Sequence, residues 1–120
     1  MRYLAILLLL SACAHRPVTE GRASWYGREL RGNPTASGEP FRPSHRTAAH
    51  RTLPFGTVLK VEHVASGRTV RVVVNDRGPY AGNRVLDLSR KAARRLGMLD
   101  EGVATVRFTV VGCRERYGCD

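Results

Sequence analysis

Three stretches of the chain carry the period of a half-buried strand. In RTVRVVVND (68–76) Val70, Val72 and Val74 fall on one face. ATVRFTVVG (104–112) alternates in the same way, with Thr105, Arg107 and Thr109 turned out. TVLKVEHV (57–64) is rich in β-branched residues and stops at Ala65-Ser66-Gly67, so 57–64 and 68–76 are expected to form a hairpin. One helix is legible: Ser89 is its N-cap, RKAARRL its body and Gly97 its stop, with Leu88, Ala92 and Leu96 on the face that meets the sheet. From Gly21 to Gly56, Gly, Pro, Ser and Thr dominate and predict loops around short strands. Short strands, one helix and no βαβ alternation predict a compact, mainly β barrel.

The first residues follow another pattern. MRYLAILLLLSAC has one Arg, an apolar run Leu4–Leu10, then small residues before Cys13. That is the build of an export signal over 1–12, too short to span a bilayer. Leu10-Ser11-Ala12-Cys13 resembles the lipobox of bacterial lipoproteins, which implies cleavage before Cys13 and acylation of its thiol. Two or more acyl chains make a stable anchor where one is marginal. Residues 13–20 are then the lipidated Cys and a short tether, and 21–120 the folded domain. The absence of Asp after Cys13 fits retention at the periplasmic face of a Gram-negative outer membrane. With Cys13 assigned to lipid, Cys113 and Cys119 remain as a pair that export would allow to form a disulfide.

Charge narrows the partners. Twenty Lys and Arg against ten Asp and Glu leave +10, almost all of it Arg. Such a field favours polyanions: nucleic acid, anionic lipid or acidic wall polymer. Export removes nucleic acid and leaves the envelope. His15, His45, His50 and His63 offer no second ligand at metal-binding spacing, so neither metal nor cofactor is expected.

Several residues are candidates for chemistry. Asp76 ends a strand beside Arg77, and Gly78-Pro79 forces the chain away; the turn either uses the carboxylate as a cap or aims it into a groove. Trp25 and Tyr26 are adjacent and point to opposite faces, as core or as a stacking platform for a sugar ring. Glu39 stands between Gly38 and Pro40, where a carboxylate is ordinarily solvated surface. His50 is, taken alone, a structural hydrogen-bonder. Asp87 is better explained by helix capping near Ser89 than as a second acid.

Their order is more specific. The series G-x-A-S-W-Y-G, T-A-S-G-E-x-F, A-A-H-x-T-L-P-F-G-T, V-x-V-N-D-R-G-P-Y and R-x-L-D-L-S, from Gly21 to about Val111, resembles the RlpA (rare lipoprotein A) family. The resemblance implies a six-stranded double-psi β-barrel with one or two short helices. It implies a monomeric endolytic lytic transglycosylase that cuts the β-1,4 MurNAc-GlcNAc bonds of peptidoglycan, preferring denuded strands. Asp76, Glu39 and His50 correspond to the family's functional residues. Asp76 is expected as acid/base, Glu39 as a charge stabiliser and His50 as a hydrogen-bonder to a carboxylate or the sugar. Trp25 and Tyr26 are expected to bind sugar, and Arg77 a lactyl carboxylate. The SPOR domain of many members is not expected in this chain. A non-catalytic, expansin-like wall-binding lipoprotein is the alternative.

Overall fold

The two strands with the clearest alternation form the hairpin. The computed structural model describes residues 16–118. β3 (Thr57–His63) and β4 (Thr69–Asp76) pair antiparallel with Leu59 opposite Val72 and Val61 opposite Val70. All four side chains are buried. β6 (Ala104–Cys113) pairs with the free edge of β3 and then with β1 (Thr19–Trp25). β2 (Thr47–Ala49) and β5 (Arg84–Leu88) complete a closed barrel in the order β1-β5-β2-β4-β3-β6. This is the six-stranded barrel expected from the sequence. Closure leaves no free sheet edge.

The helix α1 (Arg90–Leu96) has the expected boundaries. The Ser89 hydroxyl accepts from the Ala92 amide at 3.3 Å, and Gly97 takes the left-handed conformation (φ 72°) that ends it. Ala92, Ala93 and Leu96 join Leu59, Val72, Val74, Leu86 and Leu88 in the core. Each fully buried Leu contributes about 2 kcal/mol of transfer free energy. Two single-turn 3-10 segments, Arg28–Leu30 and Glu115–Tyr117, lie outside the barrel.

Three strands escaped the periodicity. β1 fully buries only Ala23, so it shows no alternation. It starts at Thr19, inside the stretch expected as tether, because Thr19 and Glu20 pair with Phe108 and Arg107 of β6. β2 is the tripeptide Thr-Ala-Ala, held between β4 and β5 because Ala48 and Ala49 are small enough to be wholly covered there. β5 contains Asp87, which corrects its assignment as a helix cap: Ser89 caps, and Asp87 is a buried strand residue. The expected signal, Cys13 and Cys119 lie outside the described residues. Cys113 is disulfide-bonded.

A close approach locks β1 to β5. Their parallel register shifts between Arg22 and Ala23, and a Cβ on Gly21 would stand 2.6 Å from the Val85 side chain. Gly21→Ala is therefore expected to lower stability by about 1–3 kcal/mol, and Val85→Ala in the same chain to restore part of the loss. Thermal melts of the single and double variants check the pairing.

Candidate active site

Asp76 is the last residue of β4. The parallel β2–β4 ladder slips between Ala48 and Ala49, which sets Ala49 against Asp76. The Asp76 carbonyl accepts from the His50 amide at 3.2 Å, so the backbone is tied where the side chain leaves the sheet. Its carboxylate is half-buried and accepts three hydrogen bonds. Oδ1 takes the Ala36 amide at 2.9 Å and the Arg77 amide at 2.8 Å; Oδ2 takes the Tyr26 hydroxyl at 3.0 Å. Every donor is neutral. Among the described residues Asp76 forms no ion pair.

Tyr26 follows β1 directly, and its amide donates to the Leu88 carbonyl at 2.9 Å. Its ring meets Phe41 edge-on at 5.1 Å. Burial, then the charge of Asp76 and the hydrogen bond to it, pushes the phenol far above its ordinary pKa. Tyr26 thus stays a proton-bearing donor at any physiological pH. It was expected to stack on sugar, but its hydroxyl is committed to Asp76. Trp25 turns the other way and packs against the core. Behind Tyr26, Asp87 accepts from the Ser24 hydroxyl and, at 3.2 Å, from Arg84 Nε.

Glu39 reaches the same region from the loop after the first 3-10 turn. That loop is pinned by Thr35 N to Glu39 O at 2.7 Å, Ser37 N to Asn75 O at 3.1 Å and the buried Phe41. Ser37 and Ala36 therefore bind consecutive residues, Asn75 and Asp76, which couples the Glu39 loop to the end of β4. The Glu39 carboxylate accepts from the Tyr117 hydroxyl and lies 3.5 Å from Arg116 Nη2. Burial and this bond raise the Tyr117 pKa. Glu39 also lines a cleft of about 1100 Å³ together with Asn75, Arg116 and Tyr117.

The third residue of the set faces elsewhere. His50 Nδ1 accepts from the amides of Thr52 (3.1 Å) and Leu53 (3.0 Å), which leaves the neutral ring's proton on Nε2. Burial first, and then the charges of Arg77 and Arg51, lower its pKa. Its ring packs edge-on against Phe108 at 5.8 Å and lines an apolar pocket with Leu53 and Val110. No hydrogen bond joins this ring to Glu39 or Asp76, so the expected contact with a carboxylate is not made. Arg77 also turns inward. Its guanidinium stacks 4.0 Å over Phe55 and donates to the carbonyls of Leu53 (2.8 Å) and His50 (3.3 Å). It braces the 50–55 loop instead of presenting a free fork for an anion.

Sequence reasoning overlooked Arg116 and Tyr117, which stand beyond the matched motifs; no local pattern links residue 117 to residue 39. Ser24 and Arg84 were missed because β1 and β5 were. Among the described residues no group of three His, Cys, Asp or Glu side chains gathers to hold a metal.

Comparison with known proteins identifies the family and the fold. Residues 18–108 match a family model described as "Lytic transglycolase". A relative from Nostoc sp., "Probable endolytic peptidoglycan transglycosylase RlpA", is 55% identical over 95 residues, covering 78% of this chain and 26% of its own length. The Campylobacter jejuni "Endolytic peptidoglycan transglycosylase RlpA" is 47% identical over 93 residues, 78% of this chain and 34% of that protein. The chain thus spans about a quarter to a third of these relatives. Among solved structures, Streptomyces papain inhibitor superposes with a TM-score of 0.65 at 27% identity, covering 80% of this chain and 96% of that one. The apo expansin of Clavibacter michiganensis gives 0.63 at 30% identity, over 80% of this chain and 51% of that one. With the family model covering the barrel from its first strand into its last, the chain belongs to the lytic transglycolase family and has its double-psi β-barrel fold.

Proposed function

We propose that this chain is a peptidoglycan lytic transglycosylase in which Asp76 is the acid/base. The observation that carries the reading is the half-buried Asp76 carboxylate, held by three neutral donors and, among the described residues, paired with no cation. Two amides occupy Oδ1, so Oδ2, beside the Tyr26 hydroxyl, is the oxygen that exchanges a proton. Protonated there, Asp76 gives its proton to the glycosidic oxygen as the C1–O bond breaks. The muramyl C6 hydroxyl then attacks C1 and returns its proton to Asp76, closing a 1,6-anhydro ring with no water consumed. Intramolecular attack has a large effective molarity, so one acid/base residue suffices. Glu39, fixed by Tyr117 and Arg116, faces the positive charge that develops at the anomeric carbon. Trp25, Arg77 and His50 act through packing and the 50–55 loop. The names of the relatives support the same substrate.

A second reading has its own support. A Clavibacter michiganensis expansin of this fold is described in complex with cellohexaose, at 27% identity and a TM-score of 0.63. A barrel that binds a glycan without cutting it is thus the alternative, and it predicts no soluble product. Under either reading we place the protein at the cell envelope as a monomer, lipid-anchored through Cys13 at the outer membrane.

Mass spectrometry of peptidoglycan digested by the wild-type chain is expected to show anhydromuramyl fragments, one water lighter than hydrolysis products. Asp76→Asn abolishes them while wall binding persists; fragments that survive this substitution exclude Asp76 as the acid/base. Tyr26→Phe removes the donor to Oδ2, and kcat is expected to fall about tenfold, the worth of one hydrogen bond to a charged group. A steady-state comparison with wild type reads it. For His50, the folded state binds fewer protons than the unfolded chain because its pKa is lowered from the ordinary 6.5. Its contribution to stability is thus complete above about pH 6.5 and is lost as the pH falls through the folded value. Urea melts at pH 7.5 and pH 5 are expected to show a smaller acid loss for His50→Asn than for wild type.

A further inference from the structure

The cleft that includes Glu39 runs over the outward residues of β3 and β4, between α1 and the C-terminal 3-10 turn. Its walls are one-sidedly basic. Lys60 comes from β3, Arg71 from β4, Lys91 and Arg95 from α1, and Arg42 and Arg46 from the loop before β2. Among the described residues Glu39 is the only acid in its lining, and Arg116 already engages it.

Within this cleft Lys60 stands directly opposite Arg71 across the antiparallel ladder. Both are exposed. Neither side chain forms an ion pair or hydrogen bond among the described residues. Like charges so placed are destabilising. Elsewhere on the barrel the ladder is complementary: Arg107 of β6 is flanked by Glu20 of β1 and Glu62 of β3, at 2.7 and 3.8 Å. An opposed cationic pair, facing the cations of α1 in a concave site, is the arrangement a bound anion relieves.

We propose that this cleft is a carboxylate-reading extension of the glycan site, in which Lys60 and Arg71, with Lys91 and Arg95 facing them, hold carboxylates along the wall strand. The inference rests on the reading of Asp76 and Glu39 as a peptidoglycan site, since a strand at Glu39 continues into this cleft. Such a strand has two sources of carboxylate, the lactyl groups of its stripped sugars and its stem peptides. Binding here selects acidic strands over neutral glycan.

The test uses the Asp76→Asn chain, so that strands are bound without being cut, and reads fluorescence anisotropy of labelled soluble strands. Peptide-bearing strands, amidase-stripped strands and carbodiimide-amidated forms of each are compared. Amidation is expected to weaken binding about fivefold or more, the worth of two or three partly exposed charge contacts. Loss on amidating stripped strands assigns the contacts to lactyl groups; loss confined to peptide-bearing strands assigns them to stem peptides. No loss in either overturns the proposal.

Lys60→Gln/Arg71→Gln in the same background is expected to weaken binding to unmodified strands about fivefold without lowering the melting temperature, since it removes a repulsion. Unchanged affinity in a folded double variant also overturns the proposal. If this variant melts early, the amidation arm, which needs no further substitution, decides alone. In the wild-type background the Gln pair is expected to raise KM and leave the loss out of kcat. An Asp76→Asn chain that discriminates between strands while wild type releases no anhydro product sinks the enzymatic reading and leaves the cleft standing.

Discussion

Closure of the barrel through parallel pairing is the constraint on which the site depends. Asp76 takes hydrogen bonds from Tyr26 and Ala36, fifty and forty positions back along the chain. Neither would be near it if β2 did not run parallel to β4, and β5 antiparallel to β2 and parallel to β1. That ring of ladders places the end of β1, the end of β4 and the loop before Phe41 at one place on the barrel. The hydrogen bonds of the ring are obligatory, because a buried amide or carbonyl without a partner costs more than the net gain of one that is satisfied. The position of the carboxylate is thereby set by the sheet that carries it.

Given that frame, the site holds its two acids with neutral phenols as well as cations. Tyr26 donates to Asp76 and Tyr117 to Glu39, and burial keeps both phenols protonated. A neutral donor orients a carboxylate without cancelling its charge. Glu39 differs in having the Arg116 guanidinium 3.5 Å away. The remaining cations near Asp76 are spent elsewhere, Arg77 on the carbonyls of the 50–55 loop and Arg84 on Asp87. The neighbouring cleft, by contrast, is lined by Lys60, Arg71, Lys91 and Arg95.

Much of this was legible along the chain, and for identifiable reasons. β3, β4 and β6 each expose one face and bury the other, so their Val, Leu and Phe positions alternate visibly. Ser89 and Gly97 mark the helix because capping chemistry is local. Asp76 was conspicuous because an acid followed by Gly-Pro interrupts a β-branched run. The strands that were missed have no such contrast. β2 is too short for a period, and β1 fully buries only Ala23, so polar residues occupy it without alternation. Asp87 was misassigned because its neighbour Ser89 offered a local explanation, whereas its true partners, Ser24 and Arg84, become visible only once β1 and β5 pair.

The amino-acid sequence alone determined the barrel class, the main hairpin, the caps of the helix and the identity of three residues that stand in a recognisable order. Each is written in short-range chemistry: side-chain alternation, backbone conformational preference, and spacing within one motif. The tertiary structure decided which way those side chains face. It gave Tyr26 to Asp76, turned His50 and Arg77 away from the two carboxylates, brought Tyr117 onto Glu39, and set Lys60 against Arg71. Those outcomes depend on strand register and barrel closure, in which residues dozens of positions apart become neighbours, and no local preference specifies them.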